Sequence, residues 1–312
     1  MEQTPTEANI LISGAGGGFD FLCGLPLAYE LKQQGHTVVF SNYSFTDLRL
    51  LKGEQSAENL YRITTKSALE GNATYFPEGL FAQWYLQEYG AEVPFYCYKN
   101  IGVLPLKIIF NTIRKLHDIN VIIVMDGGVD GIFKGNEYGL GTPSIDSVSM
   151  IAANESLISE KYYVITAFGS EGVGDEISHA EALQRISDLS TKDAYYGVSA
   201  LLKNTPAAQA LIKASEFVFS QMPKHQHSNI ICSILKALNG KFGFCKVNEK
   251  TENDPIWLSV LTSMYWFFDL DSTAKMKLFY SESLNTSTVA ALSDLIEQCR
   301  GDTTKARPCI PI

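Results

Sequence analysis

The chain has 312 residues, 46% of them hydrophobic and 19% charged, with a formal net charge of −9 at pH 7. That composition excludes a disordered or fibrous chain, and the acidic balance argues against general nucleic-acid binding because phosphate backbones are repelled. Apolar runs are too short to span a bilayer, residues 1–9 carry no export signal, and the six cysteines include no Cys-x-x-Cys pair, so a cytoplasmic protein with reduced thiols and no membrane contact is expected.

Asn9–Ser13 (NILIS) is a short apolar run ending in glycines, which reads as a buried first strand. The loop Gly14-Ala15-Gly16-Gly17-Gly18-Phe19-Asp20 then opens a helical stretch that reaches Gln34. Glycines there allow positive φ and close approach of a ligand, which makes Gly14, Gly16, Gly17 and Gly18 candidate ligand-binding residues. The dinucleotide fingerprint is not met. Phe19 stands where its third glycine belongs, and the second strand, Thr37–Ser41, ends in Ser41 and Asn42 with no acid for a ribose. A nicotinamide-dependent dehydrogenase is therefore disfavoured. Asp20 would repel a phosphate unless it holds a metal or hydroxyl groups. Its plain alternative is helix capping, although Pro26 suits a helix that starts near Leu25.

Strand, helix and strand in this order form a right-handed βαβ unit. Further strands are expected at Leu60–Thr64, Asn120–Met125 and Tyr162–Ala167, and helices at Leu104–Leu116, Ser144–Ile158 and His179–Leu189. The alternation predicts an α/β fold, a mostly parallel sheet with helices on both faces. Asn120–Met125 runs into Asp126-Gly127-Gly128-Val129-Asp130-Gly131, followed by Glu137, Gly139, Gly141, Thr142 and Asp146. Surface turns are often acidic, but these acids follow a buried strand, where ligands collect in open α/β sheets. Asp126, Asp130 and Asp146 suit a hard cation such as magnesium, whereas Gly127 and Gly128 let a ligand approach. Asp126, Asp130 and Glu137 also suit acid–base chemistry.

Among five histidines, His36 and His117 read as structural. His179, after the Gly169–Gly174 loop, and His227, just before Ser228-Asn229, are the candidate proton carriers. The last third is more helical, with Pro206–Met222, Ser228–Leu238 and Ser287–Cys299, a short strand within Lys241–Val247, and an aromatic core segment at Met264–Leu270. Without a linker or repeat, residues 1–300 read as one α/β domain with a C-terminal helical layer, and 301–312 as a tail.

Several of these motifs recur together in one family. Gly16-Gly17-Gly18-x-Asp20, Pro77-Glu78, Asp126-Gly127-Gly128-Val129-Asp130, Gly135-x-Glu137, and Ser228-Asn229 with Gly240-x-Phe242-Gly243 resemble the family known as domain of unknown function 1152. The likeness covers most of Asn9–Leu270 and implies a Rossmann-like fold but no reaction; Asn229 joins the ligand-binding candidates with it. The chain departs from that pattern at Gly131, where serine is expected, and at Asn136, where aspartate is expected. The latter removes a carboxylate from the metal reading. The leading expectation is an enzyme, a hydrolase or transferase, acting on a nucleotide, nucleoside or sugar-phosphate-like molecule. The alternative is a non-catalytic module that binds or senses such a ligand. A homo-oligomer stays open.

Overall fold

The computed structural model describes residues 7–52, 54–71, 73–137, 140, 143–170 and 177–300. Among the described residues nine strands form one mixed sheet: β1 (Asn9–Gly14), β2 (Thr37–Tyr43), β3 (Glu54–Ala57), β4 (Leu60–Ile63), β5 (Phe95–Tyr98), β6 (Val121–Asp126), β7 (Glu160–Ile165), β8 (Tyr195–Ala200) and β9 (Met264–Asp269). Across the sheet they lie in the order β8-β9-β7-β6-β1-β2-β5-β4-β3. The five central strands, β7 to β5, run parallel. Two antiparallel strands extend the sheet at each edge. From β1 the chain builds outward first through β2 and β5, then on the other side through β6 and β7. The crevice between β1 and β6 is thus the topological switch point, where open α/β sheets bind ligands.

The helices are α1 (Asp20–Cys23), α2 (Leu25–Gln33), α3 (Pro77–Tyr89), α4 (Val103–His117), α5 (Ser144–Asn154), α6 (His179–Ser190), α7 (Pro206–Ser220), α8 (Asn229–Leu238), α9 (Leu270–Lys275), α10 (Tyr280–Ser283) and α11 (Val289–Arg300). Their apolar sides form two cores, one on each face of the sheet. In β1, Ile10 and Ile12 enter the core under α1, α2, α3, α7 and α8, while Leu11 enters the one under α4, α5, α6, α9 and α11. A strand buried on both faces reads as a continuous apolar run, which is why NILIS and VIIVM stand out.

Local signals set several boundaries. Proline occupies the first turn of α2, α3 and α7, where its missing amide costs nothing. The helical stretch expected from Asp20 to Gln34 accordingly breaks at Gly24. Ser178 and Glu181 form a capping box on α6. Asp126 is the last residue of β6 and not the first of a loop. Met264–Leu270, expected as core, contributes β9, antiparallel to β7. The strand expected within Lys241–Val247 is Gly243–Cys245, paired with Ile256–Leu258 in a separate small sheet. Helices of the last third divide between the two faces, α7 and α8 on one, α9 and α11 on the other. Gly139, Gly141, Thr142 and the tail 301–312 lie outside the described residues, as does most of the Gly169–Gly174 loop. No helix among the described residues is long and apolar enough to cross a membrane.

Candidate functional site

Beyond β1, the Ala15 amide donates to the Met125 carbonyl at 2.8 Å, so the β1 and β6 chains stay together one step past the sheet. Gly17 (φ 92°) and Gly18 (φ 61°) then turn the chain through left-handed backbone. A side chain at Gly17 would start 2.6 Å from the Phe45 ring and 2.7 Å from the Tyr43 carbonyl oxygen. The turn returns at Asp20, whose Oδ2 accepts from the Gly16 amide at 2.6 Å. Asp20 is therefore a clamp on the glycine loop, and the N-cap position of α1 falls to Phe19.

Asp126 ends β6, and its Oδ2 accepts a short hydrogen bond from the Tyr163 hydroxyl on β7. Asp146 stands in the first turn of α5, where the helix dipole favours an acid. A Cβ on Gly16 would collide with Asp146 Oδ1, so glycine at this position lets the two loops close together. As a result Asp20, Asp126 and Asp146, all buried, each bring a carboxylate oxygen within 4.8 Å of the others. Asp130, half-buried in the turn Asp130–Ile132, flanks them. All four line one cleft of about 540 Å³ over the ends of β1 and β6. Lys277 is buried behind the carboxylates and faces Asp130, Asp146, Glu137 and Asp126, yet its Nζ finds no hydrogen-bond acceptor among the described residues.

Burial is the main force on these groups, and mutual repulsion adds to it. Asp126 is pushed up to about 7 by burial and then by Asp130, against the Tyr163 hydroxyl, Lys277 and the Gly131 amide. Burial and then Asp126 raise Asp20 well above the carboxylate range, opposed by the Gly16 amide. Burial followed by Asp130, Asp126 and Asp20 does the same to Asp146. Asp130 is raised by burial, with Lys277 as the chief opposing influence. Burial lowers Lys277, and Asp130 resists that most strongly.

The two loops picked out from the sequence therefore meet. Gly16, Gly17, Gly18, Asp20, Gly127 and Asn229 line the cleft with Asp126, Asp130 and Asp146. Gly14 and Gly128 are not among its lining; a Cβ on Gly14 would collide with Asn42 Oδ1, so that glycine serves packing. Of the trio expected to hold a metal, Asp126 and Asp146 belong to the close cluster, and Asp20 takes the place of Asp130.

Three expected proton carriers lie elsewhere. Glu137 accepts from the Lys134 and Gly135 amides at 2.9 and 2.8 Å and pairs with Arg185 at 3.3 Å, tying the acidic loop to α6. His179 packs edge-on against Phe168 and fills the space beside Gly169, with its pKa lowered by burial. His227 stacks on Phe219 with ring centroids 4.3 Å apart and donates from Nε2 to the Phe219 carbonyl at 3.1 Å. None of the three lines the cleft.

Residues outside both loops complete the walls. Phe45 and Tyr75 stand near the glycine turn, and His225, Gln226, Ile230 and Lys250 also line the cleft. A Cβ on Gly131 would collide with the Tyr163 hydroxyl and with Asp126 Oδ2, so glycine at this position leaves room for their hydrogen bond.

Three carboxylate oxygens at this spacing match a hard, oxygen-seeking divalent cation. They equally match vicinal hydroxyls of a sugar. A carboxyl group near 7, beside others that burial and mutual repulsion also raise, can accept and return protons at neutral pH. Fold and site together define an α/β protein with a carboxylate-floored cleft at the switch point of its sheet. The chain belongs to the family described as "Protein of unknown function (DUF1152)", whose model matches residues 78–303. The matched stretch contains Asp126, Asp130, Asp146 and the His225–Lys250 wall, whereas the glycine loop precedes it. Neither a curated protein nor a solved structure matches the chain.

Proposed function

We propose that the chain is an enzyme acting on a nucleotide, nucleoside or sugar-phosphate-like small molecule, by hydrolysis or transfer of a group to another hydroxyl. The observation that carries this reading is the meeting of Asp20, Asp126 and Asp146 on the floor of the cleft. Buried like charges destabilise a fold by several kcal/mol unless they are paired or protonated, on the order of magnitude known for buried ions. Lys277 brings one positive charge against them. A ligand that supplies hydroxyl donors, or a cation such as magnesium, would relieve the rest. Gly16, Gly17 and Gly18 line the same cleft, and the switch-point location is where this fold class binds a ligand.

In the hydrolytic form, Asp126 takes a proton from water as its oxygen attacks the glycosidic carbon or the phosphorus. The C–N or P–O bond breaks, and the leaving nitrogen or oxygen receives the proton held by Asp20 or Asp146. Group transfer follows the same course with an acceptor hydroxyl in place of water. A cytoplasmic location fits this role and the five cysteines that are free among the described residues.

The test is turnover of a panel of nucleosides, nucleotides and sugar phosphates by wild type, Asp126→Asn and Asp146→Asn, with and without chelator. At least one substrate should turn over, and each variant should lose on the order of 100-fold or more, the range for a proton-transferring group. Full turnover in both variants would refute the carboxylate chemistry. Tight binding of a panel member without turnover would make the protein a sensing module.

A further inference from the structure

We infer that the ligand of the cleft carries a planar aromatic ring joined to a sugar, as nucleosides and nucleotides do and sugar phosphates do not. This rests on the reading of the cleft as a small-molecule site and narrows its substrate class. The observation is Phe45. It is 50% exposed, and it lines the cleft. One part of its ring lies over the glycine turn: a Cβ on Gly17 would stand 2.6 Å from its Cε1, and one on Gly18 3.2 Å from its Cε2. Two glycines in left-handed backbone thus make room for a phenyl ring that is half-exposed and lines the cleft.

The backbone that carries the ring is also held in place. Lys99 Nζ donates to the carbonyls of Phe45 and Thr46 at 2.9 and 2.8 Å, and Thr46 Oγ1 donates to the buried carboxylate of Glu78 at 3.1 Å. The backbone beneath Phe45 is therefore anchored to β5's neighbourhood and to α3, so stacking on it loses little conformational entropy. Tyr75 stands at the same turn, its hydroxyl 3.4 Å from a Cβ placed on Gly18. Burial, and after it Glu78 and Asp20, keep that hydroxyl protonated, available as a donor.

Spacing links this platform to the carboxylates. Gly16 abuts Asp146 and Asp20, and the next residue, Gly17, abuts the Phe45 ring. One Cα step of about 3.8 Å separates the two glycines, which puts ring and carboxylate oxygens within roughly 12 Å of each other. A base stacked on Phe45 would therefore set its attached pentose over Asp20, Asp126 and Asp146, with hydroxyls toward the acids and the N-glycosidic bond between platform and acids. Every base has a π face, so the platform selects for a ring without specifying which one.

Calorimetric titration of the full chain, in the presence of magnesium, with adenosine, guanosine, cytidine, uridine and ribose 5-phosphate tests this. At least one nucleoside should bind more tightly than ribose 5-phosphate. Phe45→Ala should weaken that nucleoside about tenfold or more, the range for loss of a base–aromatic stack, and leave ribose 5-phosphate within about twofold. Phe45→Tyr, which keeps the ring, should bind the nucleoside within about threefold of wild type. Ribose 5-phosphate binding alone, or a nucleoside indifferent to Phe45→Ala, would overturn the inference and leave the small-molecule site standing. If no probe binds, both fall.

Discussion

Asp126→Asn should stabilise the ligand-free protein at alkaline pH while abolishing its function. In the fold, Asp126 is held up to about 7, chiefly by burial and then by Asp130, against 3.8 for an ordinary carboxyl. A folded-state pKa raised above the unfolded one means the native state binds the proton more tightly. Stability is therefore greatest below the unfolded pKa and falls as pH rises through the window from about 4 to about 7. Three pKa units correspond to about 4 kcal/mol at 1.36 kcal/mol each. Asparagine carries no charge at any pH, and its carbonyl oxygen can still accept from the Tyr163 hydroxyl. At pH 8 the variant should melt higher by roughly 5–10 °C, using about 2 °C per kcal/mol for a chain of this size. At pH 4.5 the gap should shrink to about 2 °C, because only about a quarter of that energy is lost by then. Excess magnesium at pH 8 should raise the wild type and leave the variant unmoved. Thermal and urea unfolding at both pH values provide the measurement. A variant no more stable than wild type at pH 8, or a gap of the same size at both pH values, would refute the burial of a charged Asp126.

Gly16→Ala should weaken ligand binding about tenfold or more by pushing the Asp146 carboxylate out of the cluster, while costing only about 1–3 kcal/mol of stability as an overpacked site; calorimetry paired with urea unfolding separates the two. Gly131→Ser should destabilise by a similar amount, because its Cβ meets the Tyr163 hydroxyl. Adding Tyr163→Phe removes the nearest of the atoms the new Cβ meets, leaving Asp126 Oδ2 to shift, so the double variant should be at least about 1 kcal/mol more stable than the sum of the singles, as a double-mutant cycle would show.

The sheet was legible where strands hold buried apolar runs, as β1, β2 and β6 do over most of their length and β7 does at its end. β5 and β8 escaped notice. The first is four residues long, and the second, at the sheet edge, is mostly exposed and lacks an apolar run. For the candidate site, the segments that follow β1 and β6 pointed to Asp20, Asp126 and Asp146, since topology brings neighbouring strand ends together. Side-chain direction carried no comparable signal. His225 and His227 are two residues apart, yet one lines the cleft and the other is taken up by Phe219. Glu137 looked free in the sequence because its partners are two amides of its own loop and Arg185, forty-eight residues further on. Tyr163 and Lys277 reach Asp126 from a strand and a helix end far along the chain, where nothing local marks a tyrosine or lysine as part of a site.

The carboxylate cleft is tested most directly by a crystal structure of the chain grown with manganese, as a stand-in for magnesium, and the tightest-binding nucleoside of the titration panel. Expected are an anomalous peak bound to oxygens of Asp20, Asp126 and Asp146 at about 2.1–2.4 Å, and the nucleoside in the same cleft with its base on Phe45. A nucleoside bound elsewhere, or a cleft empty of both ion and ligand at saturating concentrations, would contradict the assignment of the site.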